Sequence, residues 1–176
     1  LHPLNDTAFF DLHVVPGSFN PLHDGHRHIY DSIQIDRWGS AKFFEISASR
    51  VDKEDLTKDE IFQRLDQFRG YAPVIVTKES LFIDKIKLLR RCCVSQLHFH
   101  MGIDTYQRAV DNYGIDGIEA LDAKFHVWPR IHKGVLQDLQ SVPVRPVNVV
   151  AVPQTRAELL AVSSTAIRSA NVSQGK

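Results

Sequence analysis

The residues best suited to chemistry in this chain stand together in Gly17-Ser18-Phe19-Asn20-Pro21-Leu22-His23-Asp24-Gly25-His26. The segment has neither a GxGxxG nor a GK[ST] pattern, so neither glycine-based phosphate cradle applies. Gly17 and Gly25 let backbone approach a ligand closely, and a helix beginning near Asp24 would aim free N–H groups and its positive dipole end at an anion. His23 and His26 are three residues apart, within one helical turn, so both imidazoles can reach the same side. Two such imidazoles can donate hydrogen bonds to a polyphosphate and stabilise charge building on a transferring phosphorus and a leaving pyrophosphate. A metal centre is the competing chemistry, since His23, Asp24, His26 and His28 are all ligand types. A structural zinc takes four ligands, however, and a catalytic one needs three facing one point, while His28 should project elsewhere on the helix. The plainest alternative is a capped helix with polar surface histidines.

A second cluster lies near the C-terminus, Val162-Ser163-Ser164-Thr165-Ala166-Ile167-Arg168. Ser163, Ser164 and Thr165 offer hydroxyls and backbone N–H groups at a helix start, and Arg168, one turn later, offers a fixed positive fork for phosphate oxygens. Serine caps are ordinary, so a capped terminal helix with a surface arginine is the alternative.

The elements that must position these residues alternate along the chain. Strand-length apolar runs occur at Leu12 to Val15, Lys42 to Ile46, Pro73 to Val76, Leu97 to Met101, Phe125 to Trp128 and Val147 to Val152, several of them nearly all apolar, as in strands covered on both faces. Helical signals lie between them. Thr57 and Glu60 have capping-box spacing ahead of Ile61, Leu65 and Phe68, and Phe82, Ile86 and Leu89 make a second stripe. A further helix should follow Asp24, with Ile29 and Ile33 inward, and another should start near Asp104, where Asp104 and Gln107 could act as a capping pair. This alternation implies a parallel, doubly wound sheet with helices on both faces. Ligands bind such sheets outside the carboxyl ends of the strands. Residues 129–146 hold three prolines and a glycine and read as a loop with a short helix.

Composition excludes several classes. With 176 residues, 43% hydrophobic and 24% charged, the chain is one ordinary globular domain rather than a disordered or fibrous one. Lys plus Arg equals Asp plus Glu, 21 each, so the basic excess expected for nucleic-acid binding is absent. No apolar run approaches the ~20 residues of a membrane helix, and no signal-peptide pattern opens the chain. Cys92 and Cys93 are adjacent and unsuited to pairing with each other, in keeping with a reducing compartment; the expected location is cytoplasmic. The start at Leu1 and the lone methionine, Met101, fit a trimmed fragment or one domain of a longer protein.

On these residues the chain resembles a known family. GSFNPLHDGH is similar to the G-x-F-x-P-x-H-x-G-H signature of the nucleotidylyltransferase superfamily, with all six specified positions matching. VSSTAIR is similar to the family's second signature, I-S-S-T-x-I-R, with Val162 in place of isoleucine. The superfamily includes nicotinamide and nicotinate mononucleotide adenylyltransferases, pantetheine-phosphate adenylyltransferase and cytidylyltransferases. The resemblance implies that His23 and His26 contact a nucleoside triphosphate, that Ser164, Thr165 and Arg168 hold its β- and γ-phosphates, and that the loop Gly17, Ser18, Phe19, Asn20 runs under the nucleotide. The reaction it implies is an in-line attack by a substrate phosphate on the α-phosphorus, with pyrophosphate leaving and Mg²⁺ bridging phosphate oxygens rather than sitting on protein ligands.

Gly102-Ile103-Asp104 looks like the Gly-x-Asp segment of the mononucleotide adenylyltransferases, where the aspartate lies near the nucleotide ribose; Asp104 as a helix cap is the equal alternative. Lys53 is a candidate for the acceptor's phosphate, or else a solvated lysine among Asp52, Glu54 and Asp55. Trp128 could stack on a nicotinamide or adenine ring, or belong to the core. Trp38 should pack near the first helix, and His98 and His100, sharing one strand face, read as satisfied interior histidines.

The expected protein is therefore a single α/β domain over residues 1–176, with 1–10 as a linker or tail. Its fold would be a doubly wound, Rossmann-like parallel sheet of about five or six strands. Catalytic roles fall to His23, His26 and Arg168. Nucleotide contacts fall to Gly17, Ser18, Phe19, Asn20, Gly25, Gly102, Asp104, Ser163, Ser164 and Thr165, and acceptor contacts to Lys53 and Trp128. The expected partners are a nucleoside triphosphate, ATP favoured, with Mg²⁺, and a phosphorylated small molecule, nicotinamide or nicotinate mononucleotide favoured. A homo-oligomer is open; nucleic acid and membrane are not expected. Competing functions are a cytidylyltransferase or pantetheine-phosphate adenylyltransferase-like enzyme, a catalytically silent nucleotide-binding regulatory domain, and a metal-dependent hydrolase using the histidines.

Overall fold

The structure, a computed structural model, describes residues 8–49, 54–132, 135–139, 146–153, 162 and 167–168. Strands and helices alternate as β1 (Leu12–Pro16), α1 (Asp24–Ser32), β2 (Ala41–Ser47), α2 (Lys58–Asp66), β3 (Val74–Thr77), α3 (Phe82–Leu89), β4 (Leu97–Gly102), α4 (Ile103–Glu119) and β5 (Lys124–Trp128). Two short strands, β6 (Arg130–His132) and β7 (Val135–Gln137), precede β8 (Val149–Ala151). Six strands form one parallel sheet in the order β3-β2-β1-β4-β5-β8. The order reverses between β1 and β4, which places a crevice at their carboxyl ends.

Strand alternation sends side chains to two faces, and each face has its own core. Leu12, Val14, Leu97, Phe99 and Phe125 meet Ile86 and Leu89 of α3 and Ile103, Tyr106, Ala109 and Ile118 of α4. On the opposite face Val15, Phe44 and Ile46 meet Tyr30 and Ile33 at the end of α1 and Phe68 beyond α2. The predicted capping box starts α2: Thr57 Oγ1 accepts the Glu60 N–H at 3.3 Å, and Glu60 Oε2 accepts the Thr57 N–H at 2.8 Å.

His98 and His100 do not stand alone. They form a closed quartet with His13 of β1 and His126 of β5. Strand register sets His13 beside His98 and His100 beside His126, and each of these pairs stacks with centroids 4.3 Å apart. Hydrogen bonds close the diagonals, His13 Nδ1 to His100 Nε2 at 3.0 Å and His98 Nδ1 to His126 Nε2 at 2.9 Å. Of the two histidines expected to be satisfied in the interior, each finds a partner on another strand, while Nδ1 of the buried His100 has none.

Two expectations fail. The stretch read as a loop holds the antiparallel pair β6–β7, in which Arg130 pairs with Gln137; its polar composition and prolines hid two three-residue strands. Trp38 is 99% exposed on the turn between α1 and β2, and does not pack on the first helix.

Candidate functional site

The first motif leaves β1 at its carboxyl end and folds around one buried ring. Phe19 takes a positive φ of 44° and is completely buried. Its ring meets Phe44, Phe68 and His26 edge-on at 5.1, 5.2 and 4.9 Å. Gly17 is needed beneath it, because a Cβ there would lie 2.7 Å from Phe19 Cζ. Phe19 thus acts through packing, under the histidine.

His23 is the N-cap of α1, so the helix start with its free N–H groups lies at this loop. The His26 N–H donates to the His23 carbonyl at 2.9 Å, and the His23 N–H points to His26 Nδ1 at 3.4 Å. With Nδ1 as acceptor, the neutral imidazole carries its proton on Nε2. The two rings stack with centroids 3.7 Å apart. Burial, then the neighbouring His23 and Arg130, push His26 down to about 3. Burial and the Arg130 guanidinium push His23 down to about 4, against the opposing pull of Asp24 and Asp104. At neutral pH both are therefore uncharged hydrogen-bond donors beside a helix N-terminus. Among the described residues no three His, Cys, Asp or Glu side chains group to hold a metal ion.

The two motifs meet. Arg168 Nη1 donates to the Asn20 carbonyl across 148 positions of sequence, which brings a guanidinium to the loop of the first motif. Ser163, Ser164 and Thr165 lie outside the described residues, as does Lys53.

The ends of β4 and β5 complete the crevice, where Gly102 pairs with Trp128. Gly102, not Asp104, is the N-cap of α4. Asp104 sits in the first turn, where a carboxylate suits the helix dipole, and its Oδ2 accepts from Arg130 Nη1 at 2.6 Å. The local preference of aspartate for a cap is overridden by a cation 26 residues away. Trp128 is buried, 6% exposed, and meets His28 edge-on at 5.6 Å. Trp128 Nε1 and Arg130 Nε are buried without a hydrogen-bond partner, although such groups usually have one.

Arg130 is the functional candidate that sequence reasoning missed. It belongs to no motif and follows a proline in a stretch that reads as irregular; only its place after the fifth strand could have flagged it. Gly17, Phe19, Asn20, His23, His26, Gly102, Asp104, Trp128 and Arg168 fall along the carboxyl ends of β1, β4 and β5 or at residues bonded to them.

Strand order and crevice define the class: a Rossmann-like α/β fold with a donor-rich helix start after β1. In that fold the chain resembles nicotinic acid mononucleotide adenylyltransferase. The Plasmodium falciparum enzyme complexed with NaAD superposes at a TM-score of 0.58, with 17% identity, over 91% of this chain and 83% of that one. The same enzyme complexed with APC gives a TM-score of 0.58 and 15% identity over the same shares. No protein-family model and no curated protein matches the chain in sequence. No helix among the described residues is long and apolar enough to cross a membrane.

Proposed function

We propose that this chain is a nucleotidyltransferase that moves a nucleoside monophosphate, AMP from ATP, onto the phosphate of nicotinate or nicotinamide mononucleotide. An oxygen of the acceptor phosphate attacks the α-phosphorus; the bond to the β-phosphate oxygen breaks, and its electron pair leaves with pyrophosphate. The observation that carries this reading is the convergence of the stacked neutral His23 and His26, the α1 N-terminus and Arg168 on one loop at the β1 end of the crevice. It is supported by a fold shared with an adenylyltransferase.

In this reading His26 donates from Nε2 to the triphosphate and His23 donates beside it, stabilising charge as pyrophosphate departs. Arg168 supplies a fork for the β- and γ-phosphates, together with Ser164 and Thr165, while Ser163 and Gly25 contribute backbone N–H groups. The Gly17–Asn20 loop, with Ser18, runs under the nucleotide. Gly102 and Asp104 face the ribose; Trp128 and Lys53 serve the acceptor. Catalysis is positioning and charge stabilisation, without a covalent enzyme intermediate. The side chains here are imidazoles and guanidinia, with Asp104 engaged by Arg130, so Mg²⁺ would be held through phosphate oxygens. There it would neutralise charge on the triphosphate.

The test is pyrophosphate release with Mg²⁺ and ATP or CTP, against nicotinate mononucleotide, nicotinamide mononucleotide, phosphopantetheine and simple phosphorylated alcohols. Release with ATP and a pyridine mononucleotide alone is expected. Release with CTP or phosphopantetheine would reassign the substrate. Triphosphate binding without release from any pair would favour a silent regulatory domain.

A further inference from the structure

Three consecutive carbonyls of the first motif are held by side chains from distant segments. Arg64 Nη1 donates to the Ser18 carbonyl at 2.8 Å, Gln67 Nε2 to the Phe19 carbonyl at 2.9 Å, and Arg168 to the Asn20 carbonyl. Gln67 also accepts the Leu22 N–H on Oε1 at 2.7 Å, so one amide grips the loop on both sides of the Asn20-Pro21 step. Phe68, the next residue, packs on the Phe19 ring. Arg64 stands in the last turn of α2, Gln67 is its C-cap and Phe68 follows, so the C-terminal end of this helix is given over to the loop.

Two costs indicate what the clamp is for. A non-glycine residue at positive φ is strained and persists only where its surroundings over-determine it, and Phe19 is such a residue. A buried cation must be compensated by its contacts, and Arg64 is only 6% exposed. Its guanidinium lies 4.0 Å from Glu60 Oε1 through Nη2, and its shorter contact, from Nη1, is the loop carbonyl of Ser18. Carbonyl oxygens are the negative ends of peptide dipoles and would repel an incoming polyphosphate. Engaging three in a row with amide and guanidinium donors removes that repulsion and fixes the backbone leading into His23.

We propose that Gln67 and Arg64 are positioning residues for nucleotidyl transfer, holding the Ser18–Leu22 loop from α2 in the form that receives the triphosphate. This rests on the function proposed above. Neither residue touches the reacting atoms; each acts through the loop backbone.

The experiment compares the unmutated chain with Gln67→Met, Gln67→Glu, Arg64→Met, Arg64→Lys and, as a control on the exposed side of α2, Gln63→Met. Binding of a non-hydrolysable ATP analogue with Mg²⁺ is measured by calorimetry well below the unfolding midpoint of each variant. Pyrophosphate release and hydrogen exchange at the Leu22 amide are followed in parallel. Gln67→Met should lower kcat/KM by about 10²-fold, the scale of an ångström-level misplacement, weaken analogue binding and speed Leu22 exchange. Gln67→Glu keeps the acceptor for Leu22 but lacks the donor to Phe19, and should fall between. Arg64→Lys should recover much of what Arg64→Met loses, and Gln63→Met should match the unmutated chain. A purely structural role would lower unfolding midpoints while leaving analogue affinity unchanged. Equal analogue affinity in the unmutated chain and Gln67→Met overturns the proposal. If Gln67→Met does not fold, equal affinity in Gln67→Glu does so. Absence of analogue binding by the unmutated chain overturns the parent function and this proposal together, and is told apart because the unmutated sample itself fails.

Discussion

A Cβ placed on Gly17 would stand 2.7 Å from Cζ of Phe19, and the Phe19 ring has nowhere to retreat among Phe44, Phe68 and His26. Gly17 therefore matters as the floor on which the phenyl ring lies. Gly17→Ala should destabilise the fold by about 1–3 kcal/mol, the range for overpacking. Shrinking the ring should relieve the clash, so Gly17→Ala with Phe19→Leu should cost less than the sum of the two single changes. Urea unfolding of the four members of this cycle checks it, and strict additivity would show that the two sites do not touch.

His26 donates from Nε2 if its Nδ1 accepts the His23 N–H. Replacement by alanine removes that donor and should lower turnover by at least ~10²-fold with the fold intact. The amide nitrogen of glutamine can occupy the place of Nε2, while that of asparagine reaches only the place of Nδ1. His26→Gln should therefore retain more turnover than His26→Asn or His26→Ala. Equal loss in all three variants would contradict the Nε2 assignment, and unchanged turnover in His26→Ala would remove the residue from catalysis.

All six strands of the main sheet were legible as apolar runs, because every one of them contributes residues to the cores that flank the sheet. The capping box of α2 was legible because it is local. What escaped depends on register or on distance in sequence. His98 and His100 announce themselves as a pair, but their partners His13 and His126 are set by the parallel pairing of β1, β4 and β5. Asp104 carries a cap residue's local preference, and only the fold reveals that Arg130 claims its carboxylate. The β6–β7 pair has too few residues, and too mixed a character, for alternation to register. Within the first motif the histidines were readable from spacing, whereas the clamp from Arg64 and Gln67 joins residues 46 and 48 positions apart.

Arg130 pairs with the Asp104 carboxylate, and after burial its cation is among the causes that lower both His23 and His26. Arg130→Met should raise the titration of His23 toward the ordinary histidine value, because Asp24 and Asp104 would then oppose burial without the guanidinium against them. Imidazole NMR titration of the two proteins measures this directly. An unmoved His23 curve would mean that the guanidinium is electrostatically remote from the motif.

Burial holds His13, His98, His100 and His126 below the ordinary histidine range, His98 at about 3 and His126 at about 4. Neighbouring imidazoles and Lys124 or Lys42 add to this, while Asp11 opposes it at His13 and His98. With His23 and His26, six histidines are neutral in the folded protein at a pH where the unfolded chain is protonated. A depressed folded pKa means that the unfolded state binds more protons below ~6.5, so stability falls as the medium is acidified. Above ~6.5 both states are neutral at these positions and the dependence vanishes. Unfolding midpoints in urea should thus be nearly flat from about pH 7 to 8 and drop steeply between about pH 6.5 and 4, with several protons taken up on unfolding. The upper part of that window, above about pH 5.5, lies clear of the range in which ordinary carboxylates titrate, so the histidine contribution can be read there apart from acid denaturation by Asp and Glu. A midpoint at pH 5 equal to that at pH 7.5 would show that the quartet and the His23–His26 stack accept protons without loss of packing.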